Sequence, residues 1–307
     1  MKVLEGSLAG WEAQTSPGAV TIGVFDGVHK GHRVLLDVLR AQGGSPTLLT
    51  FDPHPAEVLS PGTNPRLITT IEERIRLLQG LGVEVVGVLD LSEIRHYEPA
   101  RFVAEVLVDK LAATSIVVGN DFHFGRDRAG DVDFLRAAGE RHGFRVVAVD
   151  LHESGGVITS TRIRDLIESG EVTAASDLLG SRYRLSNVVD HGEKRGRALG
   201  FPTANLRPPE RKVIPGNGIY AAFAELDGRA HPAAVNVGVR PTFGGGELLV
   251  EAYLLDFEAD LYGRVLTLEF VDRLRPEVQF DDVGALVARM NDDVAGVRRI
   301  LGQPATT

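Results

Sequence analysis

Two histidines three residues apart, directly after a glycine-bearing turn, are the side chains in this sequence best spaced to handle a phosphate. They lie in Gly23-Val24-Phe25-Asp26-Gly27-Val28-His29-Lys30-Gly31-His32, where an apolar strand pattern gives way to a helical one. A strand, a glycine turn and a helix start aim backbone N–H groups and the positive end of the helix dipole at an anion. Gly23, Gly27 and Gly31 let the backbone approach phosphate oxygens, with Phe25 and Asp26 in the same loop. His29 and His32 can face one phosphate, donate hydrogen bonds to it, and become cationic when an anion raises their pKa. A metal-binding pair is an alternative, but no cysteine and no third ligand follow at usual spacing; a purely structural turn is another. The Walker A pattern and the dinucleotide fingerprint are absent from the chain.

A second anion cradle is written in Ile158-Thr159-Ser160-Thr161-Arg162-Ile163-Arg164, which opens a helix with hydroxyls and two guanidiniums. Taken alone, Ser160 and Thr161 serve equally as an N-cap and the arginines as a solvated face. Between the cradles, Phe51-Asp52-Pro53-His54-Pro55 and Gly119-Asn120-Asp121-Phe122-His123-Phe124-Gly125 each follow a strand end, where ligands of open α/β sheets bind.

A third candidate differs in kind. Gly192-Glu193-Lys194-Arg195-Gly196-Arg197-Ala198-Leu199-Gly200-Phe201-Pro202-Thr203-Ala204-Asn205 is basic and glycine-rich, and ends on a hydroxyl and an amide. Its N–H groups suit phosphates, and Thr203 with Asn205 suits a hydrated Mg²⁺ ion; an exposed loop before a strand fits the composition as well. Glu251 stands in the apolar run Val250-Glu251-Ala252-Tyr253-Leu254. It is either an outward-facing strand residue or a buried acid with a raised pKa suited to general-base work, and periodicity does not choose between them.

The elements that must position these groups fall into two styles. Short β-branched runs at 19–23, 47–50, 83–89, 115–118 and 145–149 alternate with helical stretches at 34–42, 70–81, 99–107 and 131–142, the pattern of a parallel sheet covered by helices. Thr70 with Glu73 reads as a capping box. Two further helices end near Leu179-Gly180. From Tyr183 the runs 183–190, 218–225, 229–237, 248–257 and 265–274 are strand-like and joined by turn chemistry such as Asp227-Gly228, which predicts a small antiparallel barrel closed by one amphipathic helix at 282–301. The expected domains are 1–182, a Rossmann-like parallel sheet, and 183–307, the barrel. Arg298 and Arg299 read as a solvated helix face.

The 307 residues are 43% hydrophobic and 24% charged, enough for two globular cores. With no cysteine, thiol catalysis and thiolate metal sites are excluded, and with no apolar run of ~20 residues a membrane helix is excluded; a cytoplasmic protein is the expectation. A net charge of −9 works against non-specific nucleic-acid binding and favours a small phosphorylated ligand held locally. A homo-oligomer is compatible with the sequence.

Together, the segments 23–32, 51–55, 119–125 and 160–164 resemble the adenylyltransferase half of prokaryotic bifunctional riboflavin kinase/FAD synthetases. Segment 196–205 with Gly218-Ile219-Tyr220, Asn236-Val237-Gly238, Glu251 and Asp260-Leu261-Tyr262-Gly263 resembles their riboflavin kinase module, with no departure at the motif positions. The resemblance implies two reactions: riboflavin and ATP give FMN, then FMN and a second ATP give FAD, with Mg²⁺ in both. It implies Glu251 as the base of the kinase step, with Gly196, Gly200, Pro202, Thr203 and Asn205 on ATP, and Thr203 and Asn205 also on the metal. For adenylyl transfer it implies His29, His32 and Arg164 in catalysis, Gly23, Phe25, Asp26, Gly31, Ser160, Thr161 and Arg162 on ATP, and Pro53, Pro55 and Asp121 on FMN. Other nucleotidylyltransferases share the histidine loop but lack the Pro-Thr-Ala-Asn module, and class I synthetases carry a Lys-Met-Ser-Lys-Ser-type segment absent from this chain. A flavin-binding protein without activity is the remaining alternative.

Overall fold

A computed structural model describes residues 1–151, 158–191, 200–242, 245–280 and 282–302. The chain divides into two compact units, Met1–Ser160 and Thr161–Thr307.

In the first unit, strands β1 (Lys2–Leu4), β2 (Gly18–Ile22), β3 (Thr47–Phe51), β4 (Val85–Leu89), β5 (Ala113–Gly119) and β6 (Arg145–Val149) form one sheet. It is ordered β1-β4-β3-β2-β5-β6, and every pairing is parallel. Helices α1 (Lys30–Ala41), α2 (Pro55–Leu59), α3 (Ile71–Gly80), α4 (Leu91–Ile94), α5 (Pro99–Phe102) and α6 (Val132–His142) occupy the crossovers. Val20, Ile22, Leu48, Leu49, Val86, Ile116 and Val117 are buried, as continuous apolar runs must be in strands covered on both faces. The order reverses between β2 and β5, so the loops after them flank the topological switch point, where such sheets bind ligands.

Local signals from the sequence hold. Thr70 Oγ1 accepts from the Glu73 N–H (3.3 Å) and Glu73 Oε2 from the Thr70 N–H (3.0 Å), the reciprocal capping box that starts α3. Two features were not legible. β1 is a three-residue edge strand, too short for a period, and α5 continues as a π-helix over Val103–Lys110, whose apolar spacing looks α-helical.

In the second unit, β7 (Arg184–Asp190), β8 (Ala204–Leu206), β9 (Gly218–Leu226), β10 (Arg229–Thr242), β11 (Gly245–Leu254) and β12 (Val265–Arg275) close an antiparallel barrel in the order β10-β11-β8-β7-β12-β9. Alternate residues fill it: Leu206, Val235, Val237, Val250, Ala252, Leu266 and Leu268 are fully buried. Helices α7 (Ser160–Ser169) and α8 (Val172–Leu179) lead into the barrel. Gly216 donates to Ile167 O (3.0 Å), Thr173 Oγ1 to Val271 O (3.1 Å) and Arg273 to Ser169 O (3.2 Å).

The terminal helix α9 (Val283–Ile300) starts on Asp282, whose carboxylate accepts from the Ala285 N–H at 2.8 Å. It lays Val294, Val297 and Leu301 on Ala221, Ala234, Tyr253, Leu255 and Leu274. Arg275 grips Asp293 of this helix through two hydrogen bonds, 2.8 and 2.6 Å. Arg298 departs from the solvated-face expectation. Its side chain is 13% exposed and pairs with Asp256 at 2.7 Å, because Asp256 sits just past β11 where α9 crosses.

Candidate functional site

The loop after β2 is a strained turn bolted down from below. Phe25 and Val28 both hold left-handed backbone, φ 53° and 42°, which a β-branched residue such as Val28 adopts only when its surroundings enforce it. The bolt is Asp26, fully buried. Its Oδ2 accepts from the Ile68 N–H (3.0 Å), and its Oδ1 from the Thr69 N–H (2.9 Å) and Thr69 hydroxyl (3.0 Å). Thr69 Oγ1 in turn accepts from the Gly27 N–H at 3.0 Å. Arg74, 2% exposed, stands 3.8 Å from Asp26 and donates to Thr50 Oγ1 (3.2 Å), while Thr50 donates to Val24 O (2.8 Å). Ser160 Oγ donates to Asp26 O at 3.0 Å. The side chains of Phe25 and Asp26 thus face inward and shape the loop.

His29 caps α1 with its ring: Nδ1 accepts from the His32 N–H at 3.3 Å. That bond fixes the tautomer of the neutral ring, because an accepting Nδ1 leaves the proton on Nε2. The His32 ring stacks on His29, centroids 3.6 Å apart, and leans on Phe25 at 4.5 Å. A Cβ on Gly31 would come within 3.3 Å of the His29 ring, so this packing favours glycine there. Burial brings His29 down to about 4 despite the opposing pull of Asp26. His32 lies well below the ordinary value, through burial, then His29 and Arg74. In the free protein both rings are neutral at pH 7. Without an anion the pair is neutral, since burial outweighs the acid nearby; the gain of charge expected from the sequence is tied to a bound anion.

Two other motifs sit on the same edge of the sheet. Pro53 and Pro55 follow β3, half-buried, with His54 Nδ1 accepting from the Ala56 N–H (3.1 Å) to start α2. Asp121 is exposed just past β5. At the start of α7, Thr161 and Arg162 are exposed and Arg164 is half-buried, while Ile163 and Ile167 supply the buried stripe.

In the barrel, Asn205 lies on β8, opposite Glu251 on β11, which lies opposite Asn236 on β10; on the far side Asn205 faces Asp190 of β7. Residues in direct register share a face. Their chain neighbours Ala204, Leu206, Val250, Ala252, Val235 and Val237 fill the barrel, so Asp190, Asn205, Glu251 and Asn236 form one polar row on its outer wall. Glu251 is therefore the outward-facing residue of the two alternatives, yet half-buried. Thr203 and Pro202 precede β8, and Phe201 anchors them edge-on against Tyr253, centroids 5.2 Å apart. Gly200 has φ +87°, and Gly196 lies outside the described residues.

Family models match both halves: FAD synthetase over residues 12–162 and riboflavin kinase over 179–301. The curated bifunctional riboflavin kinase/FMN adenylyltransferase of Pseudomonas fluorescens is 40% identical over 93% of each chain, and that of Escherichia coli K12 is 34% identical over 98% of each. The chain belongs to the bifunctional riboflavin kinase/FMN adenylyltransferase family. A solved structure, titled a macrolide-efflux protein from Streptococcus pneumoniae, has the same fold: TM-score 0.90, 31% identity, covering 97% of this chain and 99% of that one. No described helix of the present chain is long and apolar enough to cross a membrane.

The family's first model takes in the histidine loop and its scaffold, and the second takes in the polar row. Within them stand residues that sequence reasoning passed over. Thr50 and Thr69 carry no distinguishing spacing. Arg74 does, because it occupies the buried face of α3 between Ile71 and Leu78, where a charge is out of place without a partner.

Proposed function

We propose that each activity of this family is carried by one constellation, the kinase by the barrel row and the adenylyltransferase by the histidine loop together with Ser160, Thr161, Arg162 and Arg164. The chain phosphorylates riboflavin with ATP to FMN and ADP, then adenylylates FMN with a second ATP to FAD and pyrophosphate. Residues 1–182 are assigned to the adenylyltransferase and 183–307 to the kinase.

The observation that carries this division is the state of the two acids. Asp26 beside the histidines has both carboxylate oxygens committed to backbone N–H groups, and His29 Nδ1 is committed to the helix cap. Neither of these groups is set up to take a proton, and neither needs to be, because the attacking group on FMN is already an anionic phosphate oxygen. It bonds to the α-phosphorus as the bond to pyrophosphate breaks. Donors preorganised toward the developing charge are what that step requires: the Nε2–H of His29, the His32 ring, Arg164 and the loop backbone around Gly23, Phe25, Asp26 and Gly31. Pro53, Pro55 and Asp121 border the FMN side.

Riboflavin presents a neutral alcohol instead. Glu251, half-buried between two amides, accepts the proton of the ribityl 5′-hydroxyl as its oxygen bonds to the γ-phosphorus and ADP leaves. Gly196, Gly200 and Pro202 would shape the ATP loop. The donor set fits a hard cation: the Asn205 amide stands in register with the carboxylates of Glu251 and Asp190, with the Thr203 hydroxyl two residues before it. Bound there by Thr203 and Asn205, Mg²⁺ would neutralise phosphate charge, with ATP oxygens and water as its other ligands. Small-molecule partners only, without nucleic acid, accord with the −9 charge, and a cytoplasmic location belongs to the same reading.

The test is to incubate the full chain with riboflavin, ATP and Mg²⁺ and separate products over time. FMN should appear first and FAD after a lag. Bound flavin with neither product would leave a binding protein.

A further inference from the structure

The polar row ends on a residue that the reactions above leave unused. Asn236 Oδ1 is buried and has no hydrogen-bond partner. A buried amide oxygen without a protein donor is uncommon, and such an atom is met by ordered water, an ion or a ligand. The amide's neighbours explain the vacancy. Its register partners are Glu251 on β11 and Ile219 on β9. Two residues along its own strand, a Cβ at Gly238 would fall 2.6 Å from Glu277 Oε1, so the second carboxylate lies flat over the strand. On the other side Ala234 is covered by α9. The neighbours so placed are carboxylates and apolar groups, which offer no N–H to the amide oxygen.

We propose that Asn236 binds substrate in the kinase step, its Oδ1 accepting a hydrogen bond from the ribityl hydroxyl adjacent to the one that Glu251 deprotonates. This rests on the assignment of Glu251 as the base. Directly opposed side chains on antiparallel strands have Cβ atoms about 5 Å apart. Two acceptors so spaced can engage neighbouring hydroxyls of one polyol chain: the carboxylate takes a proton and the neutral amide only holds one. The same contact aligns the 5′-oxygen on the carboxylate, so the amide supplies selectivity for a hydroxylated side chain over an alkyl flavin.

The experiment is a double-mutant cycle on the full chain. FMN-type product formation is measured for riboflavin and for 4′-deoxyriboflavin, with wild type and Asn236→Leu, at saturating ATP and Mg²⁺. Wild type should lose about tenfold or more in kcat/KM when the 4′-hydroxyl is removed. The variant should lose a similar factor on riboflavin and no longer distinguish the two substrates, while the KM for ATP and the Mg²⁺ dependence stay put. FAD formation from supplied FMN reports an intact chain, and if Asn236→Leu loses it, Asn236→Ser serves in its place. Equal discrimination in wild type and variant would overturn the proposal, as would a shift confined to ATP or Mg²⁺. Glu251→Gln run alongside separates the two claims: if it still makes FMN, the base assignment fails whatever the cycle shows.

Discussion

The histidine loop and the barrel row are built on opposite principles. Beneath the loop, the charges are buried and already spent: Asp26 is held by backbone donors, Arg74 is packed against it, and both histidines are held neutral. In the row, Asp190, Asn205, Glu251 and Asn236 stand in register on an outer wall, partly open, with an amide acceptor still unpaired. Under the proposed assignment, the first design rigidifies donors for a nucleophile that brings its own charge, and the second keeps an acid in reach of a nucleophile that must lose a proton. One chain can thus run two ATP-dependent transfers whose demands conflict.

The largest break in that contrast should come from the loop's donors. Changing His29 and His32 together to Ala is expected to lower FAD formation by about 10³-fold or more, since loss of one such donor costs roughly 10²–10³. FMN should accumulate from riboflavin at the wild-type rate. Normal FAD synthesis in the double variant would show the loop to be structural.

A pH series sharpens the claim that the histidines are neutral. His29 moves from the ordinary 6.5 to about 4 on folding, so the unfolded chain binds the proton more tightly. The folded state keeps this share of its stability above pH 6.5 and loses it progressively as pH falls toward 4, about 3 kcal/mol in all. Denaturant unfolding should show a steeper slope in wild type than in His29→Gln, where His32 alone of the pair still contributes. Over pH 6–8, kcat/KM for FAD formation should carry no inflection from His29; a rise on acidification through 6.5 would restore the cationic pair.

A smaller effect is expected at Thr69, whose hydroxyl links Asp26 to the Gly27 N–H. Thr69→Val leaves that N–H buried without an acceptor, a cost of about 1–3 kcal/mol. FAD formation should fall tenfold or more with FMN formation unchanged, and Thr69→Ser should recover it. Equal behaviour of the two variants would mean that the link does not hold the loop.

The sequence reveals positions whose chemistry depends on local order and hides those that depend on register. His29, His32 and the Thr70–Glu73 capping box are local patterns, and they appear where their spacing puts them. The alternating helices and strands likewise yield the parallel sheet and the barrel. β8 is three residues behind a proline and shows no alternation, so the pairing of Asn205 with Glu251 emerges only when the barrel closes. Asn236 had been visible as part of a motif, but its orphaned oxygen needs three neighbouring strands to be defined. The neutrality of the histidines in the free protein is hidden for a related reason: a ring's depth below the surface cannot be counted in residues.

The separation of acid-base work between the two regions is tested most directly by one substitution with two assays. Glu251→Gln, supplied with riboflavin, ATP and Mg²⁺, should form no FMN and no FAD; the same preparation, supplied with FMN, should make FAD at the wild-type rate. FMN formation by the variant, or loss of both products, would contradict the account.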